Sequence, residues 1–98
     1  MSTSEFKNKV IGKIKEKLQV EEISANHIRF KLYHKDKKIL ETHCSHGSGG
    51  KEIYDAILSK IKRQLRLNNT NQLYDLKNCP MSADNYFNLL KEKNVISD

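Results

Sequence analysis

The fold is indicated most clearly by residues 27–34, which read His27-Ile-Arg-Phe-Lys-Leu-Tyr-His34. Side chains on a strand point alternately to its two faces, and here apolar residues alternate with polar ones, so this segment predicts a half-buried β-strand. Ile28, Phe30 and Leu32 would face the core. The short connection His34-Lys-Asp-Lys-Lys38 leads to a second strand ending at Cys44, and residues 27–44 therefore predict an antiparallel hairpin.

Helical patterns flank the hairpin on both sides. Residues 4–18 carry apolar side chains every four positions, and Ser2 with Glu5 fits a capping box, which predicts an N-terminal helix. Residues 19–23 form a possible third strand. After the hairpin, apolar spacing predicts helices over about 50–66, 71–77 and 82–93, the last one capped by Ser82. The expected architecture is α+β: an N-terminal helix, a small antiparallel sheet, and three C-terminal helices packed on it.

Length and composition limit the possible classes of protein. The 98 residues suffice for one core, so we expect a single domain over residues 1–98. No segment approaches the roughly 20 consecutive apolar residues that span a membrane, and the first residues lack a signal-peptide pattern. Cys44 and Cys79 are too few for a disulfide framework. We therefore expect a cytoplasmic protein without a membrane partner.

Positive charge is concentrated in the first two thirds of the chain. The net charge is +6, and residues 1–66 hold fifteen Lys and Arg against eight Asp and Glu, whereas residues 67–98 hold three against four. A basic region of this kind can attract polyanions such as nucleic acid. A Lys-rich solvated surface with no specific partner is the alternative.

Two segments have the composition of a phosphate-binding surface. On the outward face of the hairpin and in its turn, cations alternate with an aromatic ring, a composition that suits RNA better than DNA. The residues of this surface are Arg29, Lys31, Tyr33, Lys35, Lys37 and Lys38. A glycine-rich loop before the next helix offers free backbone N–H groups and a lysine, at Ser48, Gly49, Gly50 and Lys51. The loop departs from the Walker spacing, so nucleotide hydrolysis is not expected. An ordinary polar strand face and an ordinary glycine-rich connection are the alternatives.

Histidine is the best candidate for any catalytic role. A ribonuclease needs an acid or base near neutrality together with cations, and His27 precedes Arg29 and Lys31 on the same strand face. His43, Cys44, His46 and Cys79 could form a Cys₂His₂ set, but adjacent strand residues point to opposite faces. We therefore expect no metal site and no cofactor.

The stretch from His27 to Leu67 resembles the HicA family of small toxin–antitoxin ribonucleases. The resemblance rests on the His-bearing strand, the charged hairpin, and Gly49-Gly-Lys-Glu-Ile53 leading into a helix with Ile57, Ile61 and Leu65. It implies a double-stranded-RNA-binding-like α-β-β-β-α fold over about residues 4–67, a catalytic role for His27, and an antitoxin-like protein partner. Ala25-Asn26 stand where the family has Gly-Ser, and residues 68–98 have no counterpart in it.

Two functions without RNA remain open at this point. The helices at 71–77 and 82–93 could form a helix-turn-helix, although the second would be nearly neutral. Alternatively, the three C-terminal helices could supply the apolar surface of a protein-interaction or adaptor domain, and such a domain could be a dimer. Either Tyr86 or Phe87 would then be exposed. The sequence leaves the oligomeric state undetermined.

Overall fold

The computed structural model describes residues 1–45, 52–78 and 80–97. An N-terminal helix over residues 3–14 leads into an antiparallel sheet of β1 (Gln19–Ser24), β2 (His27–His34) and β3 (Lys37–Ser45), in the order β1-β2-β3. The helices α3 (Asp55–Gln64), α4 (Thr70–Asn78) and α5 (Ala83–Glu92) follow. The predicted α+β architecture is confirmed, and the possible third strand is present. Within the described part, no helix is long and apolar enough to cross a membrane.

The N-terminal helix consists of α1 (Thr3–Glu5), a π-helical segment (Phe6–Ile11) and α2 (Gly12–Ile14). Ser2 and Glu5 form the predicted capping box, in which each side chain accepts a hydrogen bond from the other residue's backbone N–H. The apolar residues of the N-terminal helix recur every four positions. On a regular α-helix, two residues four positions apart differ by about 40° in their direction around the axis. The wider π turn reduces that drift, so Phe6, Val10 and Ile14 all remain buried.

The sheet turns one face toward the core. Phe30 is fully buried and meets the ring of Phe6 edge-on, with ring centres 5.8 Å apart. The other inward residues of the hairpin are also buried, as the alternation predicted: Ile28, Leu32, Leu40, Thr42 and Cys44. The opposite face carries polar side chains.

The β2–β3 turn is tighter than predicted. Lys35 and Asp36 both have positive φ, and His34 pairs with Lys37, so the connection is a two-residue turn of the type whose twist suits a hairpin. A bulge then interrupts β3: Leu32 pairs with Leu40, whereas Tyr33 pairs with Lys38, which leaves Ile39 as the extra residue. Because the bulge shifts the alternation by one residue, Lys38 lies opposite outward-facing Tyr33.

The helix predicted over 50–66 begins later, at Asp55. Glu52 bridges to Ser2 in an extended pairing, and the N–H of Ile53 donates to the carbonyl of Met1, 2.9 Å away. This tertiary pairing keeps the chain extended up to Tyr54, which caps the helix in a β conformation. The predicted start was therefore wrong for residues 52–54, and the predicted residues 50–51 lie outside the described ones.

The helix α3 ends in a Schellman motif. The N–H of Leu67 donates to the carbonyl of Lys62, and that of Arg66 donates to the carbonyl of Arg63. Arg66 has a φ of 63°, in the left-handed region where glycine is the usual residue. α5 ends in the same pattern, with Asn94 at a φ of 61°.

The C-terminal helices are joined to α3 by a buried hydrogen bond. The hydroxyl of Tyr86 donates to the carbonyl of Leu65 over 2.8 Å. Burial raises the pKa of Tyr86 far above its usual value, so the hydroxyl stays protonated and continues to donate. The bond satisfies one of the carbonyls that the end of α3 leaves unpaired within the helix.

Candidate functional site

The outer face of the sheet carries the predicted strand residues. Side chains at His27, Arg29, Lys31 and Tyr33 lie on the face opposite the buried Ile28, Phe30 and Leu32, and are exposed or half-buried. Lys35 lies in the turn, and Lys37 and Lys38 are exposed at the start of β3. The alternation that the sequence predicted for β2 is confirmed.

Carboxylates from the neighbouring strands offset much of this positive charge. Glu41 on β3 forms ion pairs with Arg29, at 3.0 Å, and with Lys38. The hydrogen bond from Lys38 and the charge of Arg29 hold the pKa of Glu41 below its usual value, so Glu41 is ionised at neutral pH. Glu21 on β1 accepts a hydrogen bond from the hydroxyl of Tyr33. A polyanion that bound this face would therefore meet two carboxylates, Glu21 and Glu41, among the cations of the sheet.

A second basic surface lies where α3 runs beside the edge strand β3. Two clefts adjoin there, and Gln64 lines both of them. The first, of about 400 Å³, is lined by Lys38, Ile39, Leu40, Glu41, Arg63, Gln64 and Arg66. The second, of about 260 Å³, is lined by His27, His43, Cys44, Ile57, Lys60 and Gln64. We refer to the two clefts together as the β3–α3 groove.

One hydrogen bond joins β3 to α3 at Gln64, the residue that lines both clefts. The hydroxyl of Thr42, which is fully buried, donates to the amide oxygen of Gln64 over 2.7 Å. This bond fixes the spacing of α3 from the edge of the sheet. Since only the amide oxygen of Gln64 takes part, its NH₂ group can donate to a ligand at the junction of the two clefts.

The cations of α3 and of Arg66, just beyond its end, line the groove without carboxylate partners among the described residues, and we refer to them as the α3 cations. Lys60, Arg63 and Arg66 are exposed, and none of them forms an ion pair with a residue in the described ranges 1–45, 52–78 and 80–97. Lys93 adds a further cation at the Arg66 end, where its ammonium group donates to the carbonyl of Arg66 over 2.6 Å. The α3 cations are therefore more available to an anionic ligand than Arg29 and Lys38, which Glu41 already binds.

Two imidazoles stand at the other end of the groove. His27 pairs with Ser45 and His43 with Arg29, so the two histidines are diagonal neighbours on the outer face of β2 and β3. Their ring centres are 6.1 Å apart, tilted by 55°. Both rings line the smaller cleft, together with Lys60 from α3. The structure thus brings the predicted His27 together with a second histidine and a lysine.

Sequence reasoning missed the three cations of α3 as a binding surface. Basic residues in the last turns of a helix also interact favourably with its dipole, and that role is compatible with their position. The signal that could have revealed them is the three-residue spacing of Lys60, Arg63 and Arg66, which places cations along one side of a helix. The predicted phosphate loop at Ser48, Gly49, Gly50 and Lys51 lies outside the described residues.

The remaining candidates are also located by the structure. His43 is exposed and Cys44 is buried, on opposite faces of β3, and burial raises the pKa of the Cys44 thiol. Among the described residues, no group of three His, Cys, Asp or Glu side chains could hold a metal ion; His46 and Cys79 lie outside them.

The surface of α5 offers little to DNA. Asp84 pairs with Lys17 at 2.7 Å, and Lys91 lies over the ring of Phe87, 4.9 Å from its centre. Tyr86 is buried and Phe87 is half-buried against His34, so neither has the exposed ring that the adaptor hypothesis expected. Asp84, Lys91 and Phe87 therefore already make contacts within the molecule.

No protein-family model, curated protein or solved structure matches this chain. The resemblance to HicA-like ribonucleases and the antitoxin-like partner that it implies therefore stay predictions from the sequence.

Proposed function

We propose that this chain binds nucleic acid, RNA in preference to DNA, and that the phosphate backbone lies in the β3–α3 groove. The observation that carries the proposal is the set of α3 cations, Lys60, Arg63 and Arg66, which have no carboxylate partner among the described residues. Phosphate contacts from Lys and Arg supply most of the affinity of non-specific nucleic-acid binding.

Single-stranded RNA fits this groove best. Its two clefts, of about 400 and 260 Å³, are too small for a duplex but match the size of individual nucleotides. The imidazoles of His27 and His43 offer aromatic surfaces for an unstacked base, and the NH₂ group of Gln64 offers donors to a ribose 2′-hydroxyl. Among the described residues, the adaptor alternative is supported by one exposed large apolar side chain, Tyr54, which is 80% exposed.

The test compares neutralising substitutions inside and outside the groove. Lys60→Gln and Arg63→Gln should each weaken binding of a short single-stranded RNA. Each should also reduce the slope of log K against log salt by about 0.7, because every phosphate of a single strand that a cation neutralises adds about that much to the slope. Lys62→Gln is the matched control. Lys62 is on the same helix, about 160° around the axis from Lys60, and lines neither cleft.

Fluorescence anisotropy over a range of salt concentrations measures these effects. The proposal requires the two groove variants to bind more weakly while Lys62→Gln binds as the wild type does. Equal weakening in all three would indicate a response to net charge alone. Weakening confined to Lys31→Gln would place the RNA on the outer face of the sheet instead. Either result contradicts binding in the groove.

A further inference from the structure

We infer that the smaller cleft of the groove is a two-histidine site that cleaves RNA by transfer of the phosphodiester to the neighbouring 2′-oxygen. This inference rests on the proposed function, because the substrate must first lie in the groove. It goes beyond the sequence prediction by giving His27 a partner, His43, and a cation, Lys60, that only the fold brings to it.

The spacing of the two rings suits an in-line displacement at phosphorus. The attacking and leaving oxygens lie on opposite sides of the phosphorus, and each must exchange a proton. An imidazole nitrogen acts over a hydrogen-bond distance of about 3 Å. Rings whose centres are 6.1 Å apart can therefore contact the two sides of one phosphate group at the same time.

The reaction needs no co-reactant. One neutral imidazole takes the proton from the 2′-hydroxyl while the 2′-oxygen forms its bond to phosphorus. The other imidazole, protonated, gives its proton to the 5′-oxygen as the bond from phosphorus to that oxygen breaks. The products are a 2′,3′-cyclic phosphate and a free 5′-hydroxyl, and proton exchange with water restores the two imidazoles. Nothing is oxidised or reduced.

Lys60 supplies the third component of the site. During the displacement, negative charge increases on the non-bridging oxygens of the phosphate, and a cation placed there stabilises the transition state more than the ground state. Lys60 lines the same cleft as both histidines and is exposed, without an ion-pair partner among the described residues. Arg29, the nearest cation along β2, is already paired with Glu41.

The experiment uses the full chain and two labelled oligonucleotides of one sequence, an RNA and its 2′-O-methyl analogue, which cannot be cleaved by this route. Wild type should cleave the RNA to products ending in a 2′,3′-cyclic phosphate. His27→Ala and His43→Ala should each reduce the cleavage rate by about 100-fold or more. The double variant should be little slower than either single variant, because the two groups act in one step.

Binding of the 2′-O-methyl analogue separates the two proposals. Both histidine variants should bind it more weakly than wild type, because each loses one aromatic surface for a base, but binding should persist, since phosphate contacts supply most of the affinity. If wild type binds both oligonucleotides but does not cleave the RNA, the proposed cleavage site is overturned and the RNA-binding proposal still stands. Wild type that binds neither overturns both. Cleavage that persists in the double variant, or that gives 3′-hydroxyl and 5′-phosphate ends, overturns the assignment of the two histidines.

Discussion

At the scale of single residues, Arg66 shows a conflict between local backbone preference and charge. It occupies the left-handed position that ends α3, where a side chain costs free energy and glycine does not. The equivalent position of α5 holds Asn94, a residue that tolerates this conformation. An arginine at such a position makes sense if its charge is used, and Arg66 lines the β3–α3 groove.

We predict that Arg66→Gly stabilises the protein while weakening RNA binding. Relief of the left-handed backbone should raise the free energy of unfolding by about 0.5–1 kcal/mol. Removal of the guanidinium should reduce the affinity for single-stranded RNA. Urea denaturation and fluorescence anisotropy measure the two effects.

Arg63→Gly is the matched control for this prediction. It removes a guanidinium from the same cleft, but Arg63 lies within the helix, where glycine should lower the free energy of unfolding by about 1 kcal/mol. Both variants should therefore bind RNA more weakly than wild type. Arg66→Gly should be more stable than wild type, whereas Arg63→Gly should be less stable. If both were less stable than wild type, strain at Arg66 would be excluded.

At the scale of elements, the N-terminal helix depends on its π segment to keep apolar residues on one side. Gly12 follows that segment with helical φ and ψ, so its freedom to adopt other conformations brings no benefit in the folded state. A Cβ atom added at Gly12 would have the carbonyl oxygen of Lys7, at 4.0 Å, as its nearest neighbour. The site therefore has room for a methyl group.

Gly12→Ala should raise the free energy of unfolding by about 0.5–1 kcal/mol, because alanine loses less backbone entropy than glycine when the helix forms. Thermal and urea denaturation would detect the change. A lower stability in the variant would mean that the helix needs glycine to pass from its π segment to α2, contrary to this interpretation.

At the scale of the whole molecule, the N-terminal helix and α4 are linked through Glu5. Its carboxylate accepts a hydrogen bond from the backbone N–H of Ser2 and forms an ion pair with Lys77, at 3.0 Å. These contacts, the Ser2 hydrogen bond foremost, lower the pKa of Glu5 from 4.5 to about 2. The unfolded chain therefore takes up the proton at a higher pH than the folded protein does.

The sign of the resulting pH dependence follows from that difference. The stability that Glu5 contributes is fully present above pH 4.5 and is lost as the pH falls toward about 2. Glu5→Gln keeps an acceptor for Ser2 but cannot titrate, so its unfolding free energy should fall less over this range than that of wild type. Urea denaturation at several pH values measures both. Glu92→Gln, at an exposed carboxylate on α5, is the control, and it should parallel wild type.

Strands, helices and their buried faces follow from residue patterns because those patterns act locally. The alternation in residues 27–34, the capping box at Ser2 and Glu5, and the left-handed cap at Asn94 each depend on neighbours a few positions away, and all are present in the structure. The basic character of the first two thirds is likewise a property of composition alone.

Contacts between charged groups and between rings depend on how the elements pack against one another. Glu41 reaches Arg29 through strand register, and the bulge at Ile39 places Lys38 on the same face. A hydrogen bond of 2.7 Å joins Thr42 on β3 to Gln64 on α3, and the packing of α3 beside β3 brings Lys60 to the cleft that the two histidines line. Such contacts join residues far apart in the chain. Local patterns and composition therefore predict the strands, the helices and the net charge, because they involve near neighbours, whereas packing sets which cations the neighbouring carboxylates bind and which residues lie beside His27.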